Sequence, residues 1–344
     1  MLSFEEFQEY VKDHIKEYLP EEFANAEVSI RTVKKLNGVT LQGLEIWTPE
    51  IKQSTGVTPT IYLDGKYENY ENGVELEVIM EHIGNLERQS MDLPEDVAEI
   101  KERYKDVNYV KDRLIVSLIN AERNVDILKD RPHRMLEDLA IVYKVLVNKD
   151  KTGTGTIPVT NSHMEYWGLT EEQLYETAIK NSNMFEPPFI DDMDRVAAEM
   201  LRERGMTEEE IEEFQADVHP KMYIISNASK VNGASAIVYS DALQQVAEMM
   251  GSDLYILPSS IHEVLAVSAE DRDLEDLEEM VRSVNQTDVS PEEVLSDNVY
   301  KYDAESRTLS LASANAERIH DVAVCEPSEY TGTVSEVVRP RHHR

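Results

Sequence analysis

Two stretches decide the class of fold. Leu114-Ile-Val-Ser-Leu-Ile119 and Leu139-Ala-Ile-Val-Tyr-Lys-Val-Leu-Val147 are apolar and rich in β-branched residues. Such side chains are stiff at χ1 and pack well on a pleated surface, so short continuous runs of them read as buried strands. Charge agrees. From Lys105 to Lys151 there are ten Lys/Arg and eight Asp/Glu, a near-neutral segment within a chain whose net charge is −34. The interior of a sheet has that character. Sixteen Tyr against six Phe and two Trp also favour an α+β protein over a helical bundle. The expected fold is α+β, with mixed or antiparallel sheets and packed helices.

Local signals fill in the elements. Ser3 with Glu6 is a capping-box pattern, and Phe4, Phe7, Val11 and Ile15 recur at helical spacing, predicting a helix over 3–19 that Pro20 ends. Residues 27–35 and 39–47 alternate around Asn37-Gly38, a strong hairpin signal. A helix is expected from about Val74 to Gln89, another from Thr170 to Asn181, and a third from Asp273 to Val284. Met222–Ser226 and Gly233–Tyr239 read as strands, Asp241 caps a helix ending at Gly251, and 299–311 reads as a last hairpin. Residues 186–217 carry twelve Asp/Glu against three Arg. Their sparse apolar positions predict an acidic, solvent-facing helical insertion. At 344 residues the chain has room for two lobes: an N-terminal one over 1–148 and a C-terminal one over 149–311 containing the insertion. The joint is expected near 148–156 or through the insertion, and 312–344 is expected to be a flexible tail.

The charge restricts partners. A field this negative repels a phosphate backbone and an anionic membrane, so direct nucleic-acid binding is not expected, and a basic protein is the natural partner. One cysteine, Cys325, suits a reducing compartment, and no run approaches a membrane span. The expected location is cytoplasmic. Lys149-Asp-Lys-Thr-Gly-Thr-Gly155 lacks the Gly-Lys-Ser/Thr ending of a phosphate loop. No cofactor or metal site is expected.

Chemistry is densest in Leu257-Pro-Ser-Ser-Ile-His-Glu-Val264. Ser260, His262 and Glu263 offer a nucleophile, a base and a carboxylate, with Ser259 beside them. His262-Glu263 lacks the second histidine of a zincin helix, since Ala266 stands at its place. Pro258-Ser-Ser-Ile lacks the glycines of a nucleophile elbow. The competing reading is a turn between strands whose hydroxyls satisfy backbone groups. Three further residues are candidates for completing a site from elsewhere: His133, Asn161 and His163. Asn161 also reads as a helix cap, with His163 in the first turn.

Several blocks occur in order: Pro59-Thr-Ile-Tyr-Leu-Asp-Gly65, Leu118-Ile-Asn-Ala-Glu-Arg-Asn124, Pro132-His-Arg-Met-Leu-Glu-Asp-Leu-Ala-Ile-Val-Tyr143, Thr160-Asn-Ser-His163, Met222-Tyr-Ile-Ile-Ser-Asn227, Leu257-Pro-Ser-Ser-Ile-His-Glu-Val264 and Leu295-Ser-Asp-Asn-Val-Tyr300. Together they resemble a family of bacterial proteins, typical of gut-dwelling Firmicutes, known as a domain of unknown function. The resemblance spans about residues 1–311 and implies a bacterial cytosolic protein, without an activity, cofactor or catalytic residue to carry over. Two functions remain open. One is a non-enzymatic adaptor or inhibitor of a basic partner, as in phage or mobile-element conflict. The other is a hydrolase built on residues 259–263.

Overall fold

A computed structural model describes residues 1–53, 58–91, 97–150, 153–216, 221–258, 260–270 and 272–312. The first helix starts where its capping box directs. Ser3 Oγ accepts the Glu6 N–H at 3.3 Å and the Glu6 carboxylate accepts the Ser3 N–H at 2.8 Å, opening α1 (Phe4–His14). Asn37 and Gly38 both take left-handed backbone angles, φ 57° and 74°, which these residue types tolerate. They join β1 (Glu27–Lys34) to β2 (Thr40–Trp47), paired antiparallel from Glu27↔Trp47 to Lys34↔Thr40. After α2 (Pro49–Gln53), β3 (Ile61–Tyr62) adds to β2, and α3 (Asp64–Glu71) and α4 (Leu76–Met91) follow. Phe7, Val11, Leu44, Ile46, Met80 and Ile83 are fully buried between these helices and the sheet. Each such side chain contributes about 2 kcal/mol by leaving water.

Then α5 (Val97–Arg103) and α6 (Val107–Lys111) lead into a second sheet. It holds the two apolar runs as β4 (Leu114–Asn120) and β6 (Leu139–Asp150), with α7 (Val125–Leu128) and β5 (His133–Leu136) between them and β7 (Gly153–Pro158) after. β6 is the spine: β4 pairs along one edge, while β5 and β7 share the other. Residues 148–150 and 153–156 thus lie in the paired strands β6 and β7, beside a bulge between Leu146 and Asn148. Next come α8 (Asn161–Trp167) and α9 (Glu171–Phe185), capped by Thr160 and Thr170.

The third sheet has six antiparallel strands. In spatial order they are β13 (Thr308–Leu311), β12 (Tyr300–Asp303), β10 (Leu254–Leu257), β11 (Val264–Ser268), β9 (Met222–Asn227) and β8 (Pro188–Asp192). Between β8 and β9 lie α10 (Met193–Glu203) and α11 (Glu208–Ala216). Between β9 and β10 lie α12 (Ala236–Tyr239) and α13 (Ala242–Met250), and α14 (Leu274–Thr287) follows β11. One face of this sheet (Ile225, Leu254, Ile256, Val264, Ala266) joins Val116, Leu118, Ile141 and Tyr143 of the second sheet in the largest core. Its other face packs Leu257 and Val267 on Leu277 and Val281 of α14. Among the described residues no helix is long and apolar enough to cross a membrane.

The fold class is α+β as the apolar runs require. Two segments differ from expectation. The acidic stretch 186–217 is not wholly an exposed helical insertion: Pro188–Asp192 pairs with β9 as the edge strand β8, and Ala198 and Ile211 are buried. Edge strands tolerate charge, so Asp191 and Asp192 mask the strand in the sequence. Gly233–Tyr239 is not a strand either. Asn232 turns the chain at φ 52°, and a 3₁₀ turn (Gly233–Ser235) runs into α12. Gly233 explains the turn's tightness. A Cβ there would lie 2.5 Å from His262 O and 2.6 Å from Asn227 N, and would also strike Ser226 Oγ. Gly233→Ala is therefore expected to cost about 2 kcal/mol through overpacking, read as a lower midpoint in urea unfolding. The expected tail beyond Ala312 lies outside the described residues.

Candidate functional site

The polar knot after β10 is a turn, with Ser260 bridging to Val294. Ser260 is buried, and its Oγ accepts the His262 backbone N–H at 2.9 Å. The His262 ring points elsewhere. Its Nδ1 accepts the Asn232 N–H at 3.3 Å, which leaves the proton on Nε2, and Nε2 lies 3.2 Å from Glu293 Oε1. Both ring nitrogens are thereby occupied away from the Ser260 hydroxyl. Burial pushes the Glu263 carboxyl up, with His262 pulling it down and Glu293 adding to the rise. Ser259 lies outside the described residues.

The other three predicted residues stand apart from this turn in their bonding. His133 donates from Nδ1 to Arg131 O at 2.8 Å, next to Arg134, which forks onto Glu171 at 3.2 and 2.7 Å. Asn161 opens α8 and donates to Lys129 O at 3.0 Å; the cap itself is Thr160, with His163 completing the capping box. His163 stacks on Trp167 with Tyr104 edge-on.

What His262 does reach, through Asn232, is a cavity that sequence reasoning missed. The register Ile115↔Lys144 and Ser117↔Val142 puts Ser117 and Lys144 on one face of the second sheet, while their neighbours Val116 and Tyr143 face the core. The turn after β9 closes over that face. Asn232 Oδ1 accepts from Lys144 Nζ at 3.1 Å and from Ser117 Oγ at 3.2 Å. A cavity of about 40 Å³ is lined by these residues with Ser182, Glu186, Ser235 and Tyr239. Burial, and then the charge of Arg131, pushes the Lys144 ammonium down to about 8. Glu186 Oε1 accepts Lys149 Nζ at 2.7 Å, while Oε2 is buried and, among the described residues, without a partner. The available signals were a lysine inside the apolar run 139–147 and a serine inside 114–119, each cutting an otherwise continuous apolar stretch.

A second buried constellation ties the sheets together. Asp138, at the tight β5–β6 turn, is 3% exposed. Its Oδ2 accepts Ser296 Oγ at 2.6 Å and Asn298 Nδ2 at 3.0 Å, and its Oδ1 accepts the Tyr300 hydroxyl. Beside it, Asn120 Nδ2 donates to Leu295 O at 3.0 Å and Asn285 Nδ2 donates to Ser296 O at 2.9 Å. From the hairpin tip, Asn37 Nδ2 donates to Pro291 O at 2.9 Å and Val294 O at 2.8 Å. Among the described residues no group of three His, Cys, Asp or Glu side chains is placed to hold a metal ion.

The molecule is thus an antiparallel α+β protein with a small, partly open cavity that several polar side chains line and a dense amide–carboxylate network between its sheets. The chain belongs to the family of unknown function DUF5688, whose model matches residues 4–304. No curated protein and no solved structure matches it.

Proposed function

We propose that this chain is a non-enzymatic interaction protein, an adaptor or inhibitor that engages a basic partner through the outer face of α4. The observation that carries this reading is an apolar pair set among carboxylates. Val78 in the first turn of α4 and Val74, two residues before the helix begins, are 51% and 38% exposed. Glu71, Glu75, Glu77 and Glu81 surround them and are all exposed. Two of them, Glu77 and Glu81, act together with Glu17 on one neighbour: the Tyr18 hydroxyl is pushed up first by burial, then by Tyr10, Glu77, Glu17 and Glu81. Such a surface favours an amphipathic basic segment, with apolar contact at the centre and charge steering around it.

The test is binding of a synthetic Lys-rich amphipathic peptide at rising salt. Glu77→Gln with Glu81→Gln is expected to weaken binding about tenfold, and salt to weaken it progressively. Glu209→Gln with Glu212→Gln on α11 removes equal charge elsewhere. Equal losses from both pairs would show diffuse charge and sink the α4 surface. The hydrolase alternative needs His262 to release Glu293 or Asn232 before its ring can serve a serine. An activity of the purified protein that His262→Ala abolishes would favour it.

A further inference from the structure

We propose that the cavity between the second sheet and the β9–α12 turn binds a compact zwitterion of the size and chemistry of a small α-amino acid, its carboxylate on Lys144 and its ammonium on Glu186. Two observations carry this. Lys144 Nζ has, among the described residues, no carboxylate partner; its hydrogen bond goes to a neutral amide oxygen that Ser117 already shares. Glu186 lines the same cavity at 6% exposure, and its Oε2 is cut off from water with no donor among the described residues. A buried carboxylate oxygen left so is costly, and a small turn of the side chain toward a cationic donor in the cavity removes the cost. The walls thus offer a positive group and a negative group that do not satisfy each other; Lys149 holds one oxygen of Glu186 and leaves the second for a ligand.

Size narrows the ligand. A cavity of about 40 Å³ accommodates about three water molecules. That matches a molecule of about five or six heavy atoms, such as glycine or alanine, and excludes a nucleotide or a peptide. Ser117 Oγ and the Asn232 side chain lie beside the carboxylate end. At the ammonium end the Tyr239 hydroxyl donates to Glu186 O at 2.6 Å, fixing the segment that carries the acid.

The experiment is calorimetric titration of the full chain with glycine and L-alanine, with acetate and methylamine as half-ligands. Saturable binding of an amino acid, at least about tenfold tighter than either half-ligand, is the expected result. Glu186→Gln, which keeps the shape, and Lys144→Met are each expected to cut affinity about tenfold or more. Should Lys144→Met fail to fold, Glu186→Gln alone carries the test. Acetate binding as tightly as glycine would reduce the site to an anion pocket and overturn the proposal. So would the absence of a heat signal or melting shift from either amino acid, or unchanged affinity in Glu186→Gln. None of these outcomes bears on the α4 surface.

Discussion

Replacing Asp138 by alanine is expected to destabilise the protein by about 3–5 kcal/mol. The magnitude follows from what the side chain holds. One buried carboxylate accepts three donors from Ser296, Asn298 and Tyr300, and Ser296 and Tyr300 are themselves buried. Alanine removes the acceptor and leaves those donors in a place water does not reach, so the full desolvation cost appears. Tyr300→Phe removes a single donor and is expected to cost only about 1 kcal/mol. Urea unfolding monitored by circular dichroism measures both. A loss under about 1 kcal/mol for Asp138→Ala would mean the network is surface-like and the argument from burial fails.

Glu87 is expected to make stability fall with rising pH. The residue is fully buried on the inner side of α4, and among the described residues neither carboxylate oxygen has a hydrogen-bond partner. Burial alone pushes its carboxyl up to about 7 from the ordinary 4.5. The sign follows directly. Between those values the folded state keeps a proton that the unfolded state has released, so stability declines as pH rises. The penalty is absent below the unfolded value, grows through the window, and is complete above about 7. Its size is about 2–3 kcal/mol. Glu87→Gln cannot ionise, so the difference between wild type and variant should change by that amount between acidic and mildly alkaline solution. Parallel stability–pH curves for the two proteins would refute it. A neutral Glu87 is also the physical reason why an acid can occupy the apolar side of α4 in so negative a chain.

Much of this architecture is written in local signals. Ser3–Glu6, Thr170–Gln173 and Asp273 mark helix starts that the backbone follows, and Asn37-Gly38 makes its hairpin. These are interactions over a few residues, where composition and geometry are nearly the same statement. What stayed hidden is long-range. Asp191 and Asp192 look like solvent-facing acid until β9 is placed beside them. Gly233-Ala-Ser-Ala-Ile-Val-Tyr239 has strand-like content, yet the close approach of Ser226 and His262 forces a turn. The candidate chemistry divides in the same way. Ser260 and His262 are visible because they are adjacent in sequence. Lys144, Ser117, Asn232 and Glu186 become a set only when sheet register and a distant turn bring them to one cavity, and no spacing rule connects those four positions.

The Asn37 clamp has a consequence for how the protein is made. The hairpin tip near the start of the chain is held by the carbonyls of Pro291 and Val294, separated from it by 254 and 257 positions. Asp138 likewise waits for Ser296 and Tyr300, 158 and 162 positions downstream. A ribosome delivers these partners last. The N-terminal sheet can bury its own apolar face during synthesis, but its latch and the acceptor at Asp138 stay open until nearly the whole chain has emerged. Closure of the fold is thereby a checkpoint on completeness: a chain truncated before residue 291 keeps the hairpin tip on Asn124 but lacks both carbonyls of the latch and the donors that Asp138 needs.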